Sequence, residues 1–154
     1  MSTGTYYVLL LLHILGATVW AGGHLVLATT VLPRALRAKR AAILTDFEEG
    51  YERLGMPALA VQVVTGLGLA YRLLGSPTHW FAANPLAYMV QWKLLCLAGT
   101  AALAFHAKTR VIPRLRDDNL AVMAWHIRGV TVLSILFVVA GASLRLGGFP
   151  FFQP

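Results

Sequence analysis

The stretch YYVLLLLHILGATVWAGGHLVLATTVLPR, Tyr6 to Arg34, decides the fold. It holds no Asp, Glu, Lys or Arg before Arg34, and Pro33 with the basic cluster behind it stops the run. About 20 apolar residues rising 1.5 Å each cross a hydrocarbon core, so this run is long enough for a transmembrane helix. No basic segment precedes it and it carries His13 and His24, so it reads as a retained span, not a cleaved signal peptide. Imidazoles at membrane depth are costly, and side chains of that kind mark functional sites there.

Three further apolar runs follow. The second covers about 58–74, opened by Pro57 and closed by Gly75-Ser76-Pro77; the third covers about 86–107, after Asn84-Pro85. The fourth covers about 124–146, ahead of Gly147-Gly148 and the aromatic tail Phe149 to Phe152, and the first is taken as about 6–32. The chain of 154 residues is 58% apolar and 12% charged, against about a quarter charged in a soluble domain. The expected fold is all-α, an integral membrane four-helix bundle forming a single transmembrane domain over residues 1–154. No internal repeat or low-complexity tract stands out. The second run is short for a span, so Leu54 to Pro57 is expected to dip into the interface. Thr45 or Asp46 is expected to cap a segment from Asp46 to Leu54, with an acidic side that faces water or the basic third loop.

The net charge of +7 invites a nucleic-acid reading, but the placement of the charges argues for topology. Arg34, Arg37, Lys39, Arg40 and Arg53 fall between the first two spans, and Lys108, Arg110, Arg114, Arg116 and Arg128 in or beside the third connection. That asymmetry places both termini outside, and the expected location is a bacterial inner (plasma) membrane. Tyr6, Tyr7, Trp80, Phe81, Phe149, Phe151 and Phe152 then form an outer aromatic belt, with His79 as an interfacial side chain apart from the site. Cys96 is the single cysteine, which excludes an internal disulfide and a multi-cysteine zinc site and leaves a small core residue.

Depth sorts the remaining histidines. At 1.5 Å per residue, His24, His106 and His126 fall in one inner layer, while His13 lies three turns outward of His24 on the same stripe. That stripe runs through Ala17 and Trp20. His106 continues back through Ala102, Gly99, Leu95 and Trp92, and His126 forward through Val130, Leu133 and Phe137. Imidazoles on facing helices are what a membrane bundle uses to hold haem iron, and neutral imidazoles also suit copper. Separately hydrogen-bonded histidines remain the plain alternative. Gly16, Gly22, Gly23, Gly99, Ala101 and Ala102 admit a flat macrocycle or ordinary close helix packing. Arg110, Arg114 and Arg128 are placed to meet propionates or simply to set topology. Met56, Met89 and Met123 are too scattered for a thioether copper motif. Lys93 lies near the level of His13, where a lysine costs about 2.5–3.5 kcal/mol at a helix centre unless it snorkels. Gln62, Thr65 and Arg145 are further polar groups of the outer half.

At His13-x6-Trp20-Ala21-Gly22-Gly23 the chain resembles the small four-helix membrane proteins of the CopD (copper-resistance protein D) family and the related HemJ-type protoporphyrinogen oxidases. Leu32-Pro33-Arg34, Phe47 to Arg53, Thr65-Gly66-Leu67, Trp92-Lys93 and Arg128 carry the similarity further. The HemJ-like side implies His13 as a ligand of haem b and a required Lys93. The CopD-like side implies copper uptake or tolerance, with histidines as candidate ligands. His24 after Gly-Gly departs from the first pattern, and the absence of Met/His-rich loops departs from the second.

The expected function is a b-type haem protein of the membrane that transfers electrons or oxidises a small redox partner. One or two haems are expected, on His24, His106 and His126, on His13 with Lys93, or on both. Copper on the same histidines is the alternative, and a small structural subunit the plainest one. The partners expected are the lipid bilayer, a redox partner or quinone-like molecule, and a second copy of the chain in a homo-oligomer, with no nucleic acid.

Overall fold

The computed structural model of the protein describes residues 2–145, with side chains to Ser143. Four long helices make up the described residues: α1 (Thr3–Ala38), α2 (Ala42–Leu74), α3 (Pro85–Arg114) and α4 (Leu120–Arg145). No strand occurs among them, and all four helices are long and apolar enough to span a bilayer, as an integral membrane protein requires. The expected end of the fourth span at Leu146 and the tail with Phe149, Phe151 and Phe152 lie outside the described residues, as does the side chain of Arg145.

Local chemistry sets the helix ends. Ser2 caps α1 by accepting from the Thr5 N–H at 3.2 Å, and Asn84 caps α3 by accepting from the Ala87 N–H at 2.9 Å, with Pro85 in the first turn. Gly75, at φ 75°, closes α2. The chain turns from α1 to α2 at Lys39 (φ 50°), and the Ala41 N–H donates to Asp117 Oδ1 at 2.6 Å. The cap expected at Thr45 or Asp46 is therefore one turn late: α2 begins at Ala42 and draws its cap from the α3–α4 connection. Nor does Pro57 open the second span. It sits inside α2, which is continuous from the acidic segment into the apolar run, so Asp46 to Leu54 is a helical extension. Membrane helices tolerate an internal proline because neighbouring groups satisfy the freed carbonyl.

Two π turns reveal a repeat that the sequence pattern hid. Leu27–Val31 and Ala107–Val111 widen α1 and α3 just before Pro33 and Pro113. A proline removes its own N–H and crowds the carbonyl four residues back, and here the helix answers by widening. Leu32 N–H donates to Leu27 O and Ile112 N–H to Ala107 O, each five residues back. Thr29 Oγ1 and Thr109 Oγ1 donate to Leu25 O and Phe105 O at 2.6 and 2.7 Å. The segments Thr29-x-Val31-Leu32-Pro33-Arg34 and Thr109-x-Val111-Ile112-Pro113-Arg114 thus match at an offset of 80 positions (29 to 109). In the second helices, Arg53, Val63, Val64 and Gly66 match Arg128, Val138, Val139 and Gly141 at an offset of 75 (66 to 141). The hairpins α1–α2 and α3–α4 thus share short matching segments and a π turn at the same place in their first helices.

The packing departs from that symmetry in one place. α1 runs along α2 and α3 along α4, and α1 also packs on α4, whereas α2 and α3 barely meet. Exchange of the hairpins would turn the α1–α4 seam into the α3–α2 seam, so one seam is closed and its counterpart open. The basic end, where Arg34 to Arg40 and Lys108 to Arg116 collect, is filled by Leu27, Leu32, Leu44, Val111, Met123 and Ile127. Glu52 on α2 and Lys108 on α3 form an ion pair there. The opposite, distal end is hollow.

Close approach of α1 to α2 depends on Gly16, where a Cβ would stand 2.9 Å from the Ala58 carbonyl oxygen and 3.1 Å from Gln62 Cβ. A Cβ at Gly22 meets nothing within 4 Å. Gly16→Ala should therefore lower the thermal unfolding midpoint of the solubilised protein, at a cost of roughly 1–3 kcal/mol for overpacking. Gly22→Ala should leave the midpoint unchanged or raise it, because alanine is the better helix former. Equal midpoints for the two variants would contradict the α1–α2 contact.

Candidate functional site

His13 is the best-held polar group of the distal half. Its Nδ1 lies 3.0 Å from Gln62 O and 3.1 Å from Thr65 Oγ1, both on α2. The Thr65 hydroxyl proton is already given to Val61 O at 2.6 Å, and a carbonyl can only accept. Nδ1 therefore carries the proton and donates it between two acceptors, which leaves the Nε2 lone pair of the neutral ring without a hydrogen bond among the described residues. Gly66 makes room for the ring, since a Cβ there would stand 2.9 Å from His13 Cε1.

His13 borders a cavity of about 570 Å³ in the distal half, within the range of small-molecule and cofactor sites. The cavity lies in the open seam between α2 and α3, and the internal repeat orders its walls. Tyr6, Leu10 and His13 of α1 are matched by Leu86, Val90 and Lys93 of α3, each 80 positions on. Gln62 and Gly66 of α2 are matched by Phe137 and Gly141 of α4, each 75 positions on. Gly66 faces His13, and a Cβ at Gly141 would lie 3.5 Å from Lys93 Nζ. His13 and Lys93 are thus equivalent positions facing one cavity, a relation their sequence spacing does not advertise. Trp80 and Tyr6 of the expected outer belt also line the wall, and the Tyr6 ring carries the Arg72 guanidinium 4.5 Å from its centroid.

The three expected inner histidines separate into a pair and a single. His106 Nδ1 and His126 Nε2 are 2.8 Å apart, with the rings stacked at 5.0 Å and 12°. His126 Nδ1 faces Val122 O at 2.9 Å and donates to it, so His126 Nε2 accepts from His106 Nδ1–H. Rings this close leave no room for a macrocycle between them. His24 instead donates from Nδ1 to Trp20 O at 2.9 Å and meets the edge of Tyr51, whose hydroxyl donates to the Val19 and Trp20 carbonyls. A Cβ at Gly23 would collide with the Tyr51 ring. Among the described residues, no three His, Cys, Asp or Glu side chains converge on one point.

The helix faces explain the separation. The stripe of His13, Ala17, Trp20 and His24 faces the bundle, and so does that of His126, Val130 and Phe137. The stripe behind His106 does not: Leu95 is 64% exposed and Trp92 41%, so it faces lipid. Both sides of a membrane helix are apolar, and periodicity alone does not tell core from lipid. Gly99 meets Leu133 and Gly16 meets α2, which makes them packing glycines; Gly66 and Gly141 make the space at the site. His79 stays apart, with Nδ1 donating to Leu74 O at 3.0 Å. Arg110, Arg114 and Arg128 do not line the cavity, and Arg128 lies over the Trp125 ring.

The family model for copper resistance protein D matches residues 45–144, more than half of the chain. No curated protein and no solved structure matches. The matched region includes Lys93, His106 and His126 and ends before Arg145; it begins after α1, so His13 and His24 lie outside it.

Nitrogen NMR of the labelled protein checks the tautomer. Neutral His13 should show a protonated Nδ1 and a bare Nε2, and Thr65→Val should perturb its Nδ1 signal while leaving His126 unchanged. A proton on Nε2 of His13 would overturn the assignment.

Proposed function

The chain belongs to the copper resistance protein D family, and from that premise we propose that it is a b-type haem protein of the membrane, with His13 as axial ligand in the distal cavity. The observation that carries this reading is the fixed imidazole: Nδ1 donates to a backbone carbonyl and Nε2 is left bare beside a 570 Å³ space. Metal-ligating histidines are oriented in this way, with the second nitrogen donating to a carbonyl or carboxylate. Haem b supplies one-electron chemistry when bound. Gln62 and Thr65 orient the ring, Gly66 admits it, and the apolar walls exclude water. A quinone-like or other small redox partner and a homo-oligomer complete the reading. The basic end then lies at the cytoplasmic face of a bacterial plasma membrane, with both termini outside. Protoporphyrinogen oxidation, which the resemblance implies, would use the same centre and would show as porphyrinogen accumulation when the gene is lost.

Copper handling is the second reading, favoured by the family match and by the His106–His126 pair inside the matched region. Imidazole suits copper, and the pair lies at the basic end, apart from the cavity.

Absorption spectra of the purified protein, oxidised and reduced, separate the two. The haem reading expects a Soret band that His13→Ala abolishes and His106→Ala with His126→Ala spares. Metal analysis showing near-stoichiometric copper, lost in the His106/His126 double variant, with no Soret band, would replace haem by copper.

A further inference from the structure

The distal cavity is lined by donors that lack acceptors. Trp20 is 7% exposed, and its indole Nε1 is buried with no hydrogen-bond partner; the Trp80 Nε1 is in the same state, and both residues line the cavity. A buried donor left unpaired costs about 1–3 kcal/mol. Lys93 lines the same wall and makes no hydrogen bond or ion pair among the described residues, and no Asp or Glu borders the space. Two acceptors of the wall also lack a donor among the described residues: the bare Nε2 of His13, and Gln62 Oε1, which sits on an amide that can turn its NH2 the same way. A lysine at membrane depth with no anion nearby is an expensive arrangement, and an anionic group brought in by a ligand relieves it. The rest of the wall carries Tyr6, with the Arg72 guanidinium on its ring, and is otherwise mostly apolar, with Leu10, Leu59, Val63, Leu97 and Phe137. The seam that holds the cavity is the one the internal repeat leaves open, between α2 and α3, and in a membrane such a seam faces lipid.

We propose that this cavity binds the carboxylate head of a membrane-dissolved amphiphile, with Lys93 and the Trp80 indole N–H as its donors and the apolar walls against its body. The inference goes beyond the haem reading and does not require it. Haem b carries carboxylates on an apolar ring, and a fatty acid carries the same head on a chain.

The probe is dansyl-undecanoic acid, compared with its methyl ester, added to the full chain in lipid nanodiscs with protein-free nanodiscs as the blank. The acid should bind at least tenfold more tightly than the ester. Lys93→Met, which keeps the length and removes the charge, should erase that preference. Trp80→Phe, on the short turn between α2 and α3, should weaken the acid several-fold without touching a spanning helix, and so serves even where Lys93→Met does not fold. Equal binding of acid and ester by the unaltered protein, or an acid preference that survives both substitutions, overturns the proposal. Haemin separates the sources. Displacement of the probe by haemin, lost in His13→Ala, assigns the carboxylate to haem; failure of haemin to displace it assigns the site to a free lipid-phase acid. A His13-dependent Soret band without acid preference would sink this inference and leave the haem reading standing. Acid preference without a Soret band would do the reverse.

Discussion

The distal half of the molecule depends on one hydrogen bond, from His13 Nδ1 to the carbonyl of Gln62. It is made across two helices and requires that nothing stand between their backbones. Gly16 brings α1 down onto Ala58 and Gln62, and Gly66 leaves a space where the imidazole lies. The bond then dictates the tautomer, and the tautomer leaves a bare nitrogen. In hydrocarbon no water can take the place of either partner, so the ring and the two glycines stand or fall together.

The two ends of the bundle solve different problems. At the basic end both hairpins widen into π turns ahead of a proline, and leucine, valine and methionine side chains fill the space between all four helices. This end is a packed clamp, tied by the Asp117 cap on α2 and the Glu52–Lys108 ion pair. With one end held, α2 and α3 diverge toward the other and the cavity opens between them. Positions 80 apart on α1 and α3, and 75 apart on α2 and α4, line its walls in pairs, one of them an imidazole and an ammonium.

Much of this architecture was legible in the chain. Four apolar runs, the stop at Gly75, and the crowding of Arg and Lys into two connections point to a membrane bundle without any coordinates, although the first helix runs on through Pro33 to Ala38. His13 and Lys93 were also legible as a pair at one depth. Other features were not. The likeness of the two hairpins is faint in the chain because only short segments match, and its surest marks, the π turns, are backbone geometry. The layer of His24, His106 and His126 rested on depth, which is necessary for contact but not sufficient. Rotation about each helix axis decides contact, and it sent the stripe behind His106 toward lipid while Tyr51 occupied the space beside His24.

By itself the sequence determined what hydropathy and charge can determine: the number of spans, and where the apolar part of each one lies. Those follow from the cost of polar groups in hydrocarbon, which each segment meets on its own. Which histidines touch, where the bundle is hollow and which donors are left unpaired were decided by tertiary structure alone. The reason is physical: in a bilayer the core and the lipid are equally apolar, so burial leaves no mark on composition. Helix rotation is then settled by close contacts such as Gly16 on Ala58 and Gly23 on Tyr51.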